Sequence, residues 1–330
     1  MSKRRVLDVL GLTTRFATPH GPITAVDGVS FSVSKGETLG LVGESGSGKS
    51  VTALSILRLV APPGRIEAGS VVLDGTDLLT LDEEQMRQRR GTKVGMVFQN
   101  PMTALNPVYS VGWQMREALR AHGHQGDAHA MIRQALGAVG MPDPERQADS
   151  FPHQMSGGMR QRVVIAMGML HEPQLLIADE PTTALDVTIQ AQVLDLMKRL
   201  TRERGTALLL ITHNMGVIAR MCDRVAVMYA GEIVEEAPVD ELFARPRHPY
   251  TRGLLRSIPR ADQTRGKMAS LPGAPPDMTR TMVGCRFRDR CEMVRSGCEI
   301  HPDLHETVPG HRARCWVTQE APVAESTFES

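Results

Sequence analysis

The chain has 330 residues, 41% of them hydrophobic, with 38 Lys+Arg set against 37 Asp+Glu. That length suffices for a full core plus an appended domain, and the balanced charge gives no whole-chain electrostatic case for a nucleic acid or an anionic membrane as partner. The strongest apolar stretches, 163–170 and 206–211, are far too short to cross a bilayer, and Asp8 breaks the apolar segment behind Met1-Ser2-Lys3-Arg4-Arg5, so no signal-peptide core is expected.

Residues 5–43 read as short strands and turns. Val29, Phe31 and Val33 alternate with serines, the pattern of a half-buried strand, and Lys35-Gly36 marks a turn. Residues 38–42 form an apolar run suited to a buried strand, and 51–60 suit a buried helix. Between them stands Gly43-Glu44-Ser45-Gly46-Ser47-Gly48-Lys49-Ser50, a complete G-x-x-x-x-G-K-[ST] phosphate loop in the strand–helix context that gives the motif meaning. Its glycines let backbone N–H groups approach phosphates without Cβ clashes. The helix N-terminus adds partial positive charge. Lys49 is placed to reach the β- and γ-phosphates and Ser50 to ligate Mg²⁺. The chain is expected to bind a nucleoside triphosphate.

Residues 71–79 predict a hairpin around Asp74-Gly75, and 94–98 another buried strand. From Pro101 to about Arg160 the character is helical, interrupted by Pro142 and Pro144. At the end of that stretch Ser156-Gly157-Gly158 opens a helix, a turn that aims N–H groups and a helix dipole at an anion. Residues 175–178 predict a strand ending in Asp179-Glu180. Beside a phosphate loop, Asp179 suits Mg²⁺ held through its water shell and Glu180 suits a general base polarising the attacking water; a solvated strand end is the alternative. Residues 187–204 predict an amphipathic helix, 207–212 a buried strand, and 224–236 a hairpin turning at Ala230-Gly231. Strands alternating with helices imply a mainly parallel sheet. Cys222 falls in a helical stretch as a core residue. After about Pro246 proline and glycine become frequent and four of the five cysteines appear. No internal repeat is visible, so the chain carries one nucleotide-binding unit.

Together these segments resemble the ATP-binding cassette (ABC) ATPases over roughly residues 5–260. Met155-Ser156-Gly157-Gly158-Met159-Arg160-Gln161-Arg162 is similar to that family's signature motif, usually Leu-Ser-Gly-Gly-Gln, with Met in place of the leading Leu and the trailing Gln; this form resembles the peptide-transporter branch. The resemblance implies an α/β P-loop core (1–100 and 161–245) with an antiparallel β subdomain, a helical subdomain (101–160) and a small irregular C-terminal extension (246–330). It implies a head-to-tail dimer in which Ser156, Gly157 and Gly158 face the γ-phosphate of ATP bound to the opposing subunit. Gln99 resembles the Q-loop glutamine, which senses Mg²⁺ or water and faces the membrane subunits. His213 resembles the switch histidine that contacts the γ-phosphate and orients Glu180, with Asn214 where many relatives carry Asp. Asp186 resembles the D-loop aspartate that communicates across the dimer. Phe16 stands where relatives place an aromatic that stacks on adenine; simple packing in a strand is its other reading.

Residues 248–259 and 271–276 resemble the C-terminal extension of dipeptide and oligopeptide importer ATPases. Beyond them Cys285, Cys291, Cys298 and Cys315 follow a C-x5-C-x6-C-x16-C spacing. Structural disulfides are disfavoured in a cytosolic chain. A Zn site lacks its usual paired C-x2-C spacing, and reduced, unliganded thiols remain open. The resemblance favours a [4Fe–4S] cluster. Arg286, Arg288 and Arg290 are expected either to lower thiolate pKa and stabilise an anionic cluster or to form a solvated face. The function the resemblance implies is the ATP-hydrolysing subunit of a dipeptide or oligopeptide importer, peripheral on the cytoplasmic face of the bacterial inner membrane. Its partners would be a related second ATPase, two transmembrane permease subunits and an extracytoplasmic solute-binding protein, with no nucleic acid. Importers of nickel, glutathione, opines or other small solutes are the alternative. A soluble cassette ATPase acting on DNA or ribosomes is disfavoured by the single cassette and the absence of a heptad run, and an exporter by the importer-like extension.

Overall fold

The computed structural model describes residues 4–183, 185–258, 271–279 and 282–319. The chain opens with two 14-residue strands, β1 (Arg5–Thr18) and β2 (Gly21–Ser34), paired antiparallel. They are longer than the short strands the sequence suggests. Register shifts around Gly11 and Gly28, both at positive φ (59° and 60°), let one ribbon bend and continue where regular strands would stop. Val29, Phe31 and Val33 are buried, as their alternation predicts. β3 (Thr38–Val42) is buried throughout. Helix α1 (Lys49–Ile56) ends earlier than the apolar run suggests. Arg58 takes φ 52°, and the N–H groups of Arg58 and Leu59 close back on Ser55 O (3.0 Å) and Leu54 O (2.8 Å), a Schellman-type stop made without glycine.

β4 (Gly64–Leu73) and β5 (Thr76–Asp77) turn at Asp74-Gly75, both left-handed (φ 48° and 83°), as a type I′ hairpin needs. With β1 and β2 they form a four-stranded sheet in the order β2-β1-β4-β5. α2 (Glu83–Arg89) starts with an Asp82/Gln85 capping box and leads to β6 (Val94–Val97). Then come α3 (Pro101–Ala104), α4 (Val111–Ala121), α5 (Ala128–Ala138), α6 (Pro144–Asp149) and α7 (Gly157–Gly168). Each begins at a side-chain cap: Asn100, Ser110, Asp127, Asp143 and Ser156.

The rest alternates: β7 (Leu175–Asp179), α8 (Val187–Arg204), β8 (Ala207–Thr212), α9 (Met215–Met221), β9 (Arg224–Tyr229), β10 (Glu232–Pro238), α10 (Val239–Ala244) and α11 (Pro249–Arg256). Two short strands, β11 (His305–Val308) and β12 (His311–Ala313), and α12 (Trp316–Gln319) follow. The second sheet has eight strands in the order β11-β12-β10-β9-β3-β8-β7-β6. From β9 to β6 its pairs are parallel, while β10, β12 and β11 join antiparallel. The C-terminal strands therefore continue the sheet that carries the phosphate loop, with Glu235 opposite Ala313 and Glu236 opposite Arg312.

Period-two alternation divides the sheet's side chains between two cores. Leu176, Ala178, Leu208, Leu210 and Val227 face one core, shared with α4, α5, α7 and α8. Leu175, Ile177, Leu209, Ile211 and Met228 face the other, shared with α1 and the antiparallel sheet. Cys222 is buried at the end of α9, so close to β3 that a Cβ on Gly40 would lie 2.8 Å from its Sγ. Among the described residues no helix is long and apolar enough to cross a membrane.

Candidate active site

Parallel strands all end at one edge of their sheet, and in open α/β folds that edge collects the ligand-binding groups. Here β3 runs into Gly43, β8 into His213, β7 into Glu180 and β6 towards Gln99. Because the strand order is β3-β8-β7-β6, these four segments lie side by side.

The phosphate loop is pinned from outside. A Cβ on Gly43 would fall 2.2 Å from Met228 O, and one on Gly48 2.3 Å from Ala25 O. Gly48 also sits at φ 102°, so both positions exclude any other residue. The β9–β10 turn braces the loop through Gly231 N–H to Ser47 O (3.0 Å). Lys49, 6% exposed, arches over the loop and donates to Gly43 O and Glu44 O (both 2.8 Å) and Ser47 Oγ (3.2 Å). Burial lowers its pKa, while the charges of Glu180, Asp179 and Glu44 oppose that fall.

Asp179 is buried, with Ser50 acting on its carboxyl. Its Oδ1 is buried with no hydrogen-bond partner. Desolvation pushes its carboxyl above the ordinary range, with Ser50 pulling the other way. A hydroxyl and a carboxylate with an open buried oxygen form the hard-oxygen donor set that Mg²⁺ takes, so these residues fit that ion. Glu180 occupies the left-handed region at φ 45°, which a non-glycine residue holds only when its surroundings enforce it. Its carboxylate is surrounded by donors: His213 Nδ1 lies 2.9 Å from Oε1, and Gln99 Nε2 (3.1 Å) and Thr183 Oγ1 (2.8 Å) donate to Oε2. Burial raises the Glu180 pKa, but the hydrogen bonds from His213 and Thr183 outweigh it and leave the carboxylate below its ordinary value. Thr183 is a partner of Glu180 that the sequence reading missed; its place three residues after Glu180, in the turn closed by Thr183 N–H to Glu180 O, is the signal that could have found it.

Comparison with known proteins decides the family. The ABC transporter family pattern matches residues 26–183, and the C-terminal region of oligopeptide/dipeptide transporters matches 234–298. A Brucella ovis relative is 51% identical over 335 residues, covering 97% of this chain and 99% of its own length. The oligopeptide transport ATP-binding proteins OppD of Bacillus subtilis and Escherichia coli are 47% and 46% identical, over 97% and 94% of this chain and 91% and 93% of theirs. This chain belongs to the ABC transporter ATPases, in their oligopeptide/dipeptide branch. The dimeric post-hydrolysis structure of the ATP-binding cassette MJ0796 bound to ADP and Pi superposes with a TM-score of 0.63 at 27% identity, over 71% of this chain and 98% of that one. The chain is thus an ABC ATPase that binds and hydrolyses ATP.

The signature segment of this ABC ATPase lies at the start of α7. Ser156 Oγ accepts the Met159 N–H (3.3 Å), and Ser156 and Gly157 are exposed. Gly158 packs on the helix that follows Asp186: a Cβ there would lie 2.8 Å from Ile189 Cγ2. Asp186 caps that helix through Ile189 N–H (3.0 Å). Among the described residues, no hydrogen bond joins Ser156, Gly157 or Gly158 to residues 43–50. Phe16 sits on β1 opposite Ile23, half-buried with its ring over Gly64, where a Cβ would come within 2.4 Å of it.

In the extension, backbone N–H groups are aimed at three of the four sulfurs: Met293 at Cys291 (3.3 Å), Phe287 at Cys285, and Val317 and Thr318 at Cys315. Burial pushes the Cys285 thiol up to about 11 and raises Cys291 and Cys315, and the neighbouring thiols act in the same direction. Among the described residues no group of three or more His, Cys, Asp or Glu is disposed to hold a metal ion. The arginines behave differently from the expectation. Arg286 bonds Ala230 O (2.5 Å) and pairs with Asp27 and Glu232. Arg290 pairs with Glu44 of the phosphate loop. Both guanidiniums are spent on carboxylates of the cassette, so neither lowers a thiol pKa nor forms a solvated face; only the more exposed Arg288, against Asp289, faces water. Tyr250 is the other group the sequence reading passed over: fully buried on α11, its Oη accepts the Glu44 N–H at 2.9 Å.

Proposed function

We propose that the chain powers import of dipeptides and oligopeptides across the bacterial cytoplasmic membrane, through two separate permease subunits fed by an extracytoplasmic solute-binding protein. It would sit peripherally on the cytoplasmic face and pair with a related second ATPase. The observation that carries this reading is that likeness to the oligopeptide transporters extends beyond the cassette into the C-terminal region. Exposed Phe98 and Met102 flank Gln99, an apolar surface suited to a permease.

The residues divide the work as follows. Backbone N–H groups of Gly43–Ser50 and the α1 N-terminus cradle the phosphates of ATP. Lys49 leaves its carbonyl partners for the β- and γ-phosphates. Ser50 and Asp179, with Gln99 beside them, would hold Mg²⁺, which supplies charge neutralisation on the phosphates when bound. Glu180 accepts a proton from the attacking water; His213, Gln99 and Thr183 fix its orientation, and its low pKa keeps it ionised as a base at neutral pH. Phe16 stacks on adenine. Ser156 and Gly157, both exposed, with Gly158 beside them and no hydrogen bond to their own loop among the described residues, serve the γ-phosphate of the opposing subunit's ATP, and Asp186 lies at that interface.

Cys285, Cys291, Cys298 and Cys315 are proposed to hold a [4Fe–4S] cluster, which would cross-link the extension and supply a redox centre when bound. The N–H groups aimed at three sulfurs support this, since such donors stabilise thiolate ligands. Iron and acid-labile sulfide counted on anaerobically purified protein decide it: about four of each per chain is expected, and stoichiometric zinc, or no metal, sinks it. Transport is tested in proteoliposomes carrying the permeases and solute-binding protein. ATP-dependent inward accumulation of a labelled peptide supports the proposal; export, or uptake of only a non-peptide solute, refutes it.

A further inference from the structure

Residue 44 of the phosphate loop is held at both its ends by the C-terminal segment. Its N–H donates to Tyr250 Oη, and its carboxylate receives a two-pronged contact from Arg290: Nη1 to Oε2 at 2.7 Å and Nη2 to Oε1 at 3.0 Å. Arg290 is itself fixed. Its Nε donates to Pro272 O (2.8 Å), and its guanidinium lies 5.7 and 5.9 Å from the ring centroids of Tyr229 and Phe287. Those rings pack with Tyr250 in one aromatic cluster, centroids 4.6–5.4 Å apart. The Arg290 side chain is only 5% exposed. Such a contact has a direct consequence for the nucleotide. Glu44 is an acidic residue inside an anion-binding loop, and its charge already acts on Lys49, the cation that the phosphates require. A carboxylate free to swing would compete with ATP for Lys49 and repel the incoming phosphates.

We propose that Arg290 is a positioning residue for ATP binding: it neutralises Glu44, keeps that carboxylate away from Lys49, and so lets the C-terminal segment set the nucleotide affinity of the cassette. The proposal rests on the reading of residues 43–50 as the ATP loop, and the test separates the two. Full-length protein is assayed for ATP turnover, and Glu180→Gln protein for binding of a fluorescent ATP analogue. Arg290→Gln should raise KM and Kd by about tenfold, within the usual range of coupling between sites, with kcat at saturating ATP changed less than about twofold. Arg290→Lys, which keeps the charge but loses the fork, should fall between. Adding Glu44→Gln to Arg290→Gln should recover most of the affinity, because the offending charge is gone. Wild-type affinity in Arg290→Gln overturns the proposal. So does a loss that Glu44→Gln fails to rescue, since that marks a role in folding the extension. Failure of the Glu180→Gln protein with Arg290 and Glu44 intact to bind the analogue would refute the ATP loop itself.

Discussion

Glu180 shows how much a single residue's role depends on its backbone. Its φ of 45° turns the side chain out of the β7 line towards three donors. A carboxylate held by three donors does not wander, and a general base must keep its geometry to be effective. Glu180→Gln keeps the shape and removes the proposed base. ATP should still bind, while turnover should fall by about 10²–10⁴-fold. Single-turnover kinetics with labelled ATP measure this; turnover within a few-fold of the unmodified protein would remove Glu180 from its role. Much at this scale was legible in the sequence, because Gly43 and Gly48 are forced by steric demands that allow only one residue type. Glu44 and Arg290 were not legible as a pair. They stand 246 positions apart, and neither carries a local pattern; the basic run around the cysteines pointed to the thiols, whereas folding turned it onto the cassette.

At the level of elements, pattern reading worked where hydrophobic period and capping agreed. Helix α8 and strand β8 fall at the predicted residues 187–204 and 207–212. It failed where the stop signal was conformational, as at Arg58, whose left-handed backbone no residue type announces. Helix α11 illustrates a different hidden constraint. His248 caps it, with Nδ1 accepting the Tyr250 N–H (3.1 Å), and its own N–H donates to Glu235 Oε2 (2.9 Å). The ring is 1% exposed. Burial pushes its pKa down to about 4; the Glu235 charge opposes this, while Arg314 and Arg252 add to it. The unfolded chain therefore takes up this proton before the folded one does. Stability is unaffected above about pH 6.5 and is lost as pH falls from there towards 4, by up to about 3 kcal/mol from this group alone. Asn at this position keeps a capping oxygen and cannot ionise. In His248→Asn the fall of Tm between pH 6.5 and 4 should be shallower than in the unmodified protein; parallel curves would show that the buried ring does not govern acid sensitivity.

At the scale of the whole molecule, the two segments proposed to share the phosphates of ATP each carry exposed residues, and among the described residues no hydrogen bond joins them. Ser45, Gly46 and Ser50 are exposed on the phosphate loop, and Ser156 and Gly157 at the head of α7, where the serine oxygen caps the Met159 N–H and the first helical N–H groups have no partner within the helix. A helix N-terminus of this kind attracts phosphate, and a second cassette turned head to tail, as proposed above, would give each segment its complement. That arrangement makes a sharp prediction for this chain assembled with copies of itself, without the related ATPase. Lys49→Ala disables the loop of one chain but leaves its residues 156–158 intact. Ser156→Arg blocks the helix head of another chain but leaves its loop intact. Each variant alone should be nearly inactive, because every composite site contains one defect. In a mixed dimer one composite site collects both defects while the other combines a sound loop with a sound helix head, and ATP hydrolysis should reappear. The required measurement is the steady-state ATPase rate of each variant and of their mixture across a range of ratios. Activity that peaks near equal proportions is the expected result. If Ser156→Arg alone turned over ATP normally, each site would be complete within its own chain, and hydrolysis could not be what couples two cassettes to a membrane partner.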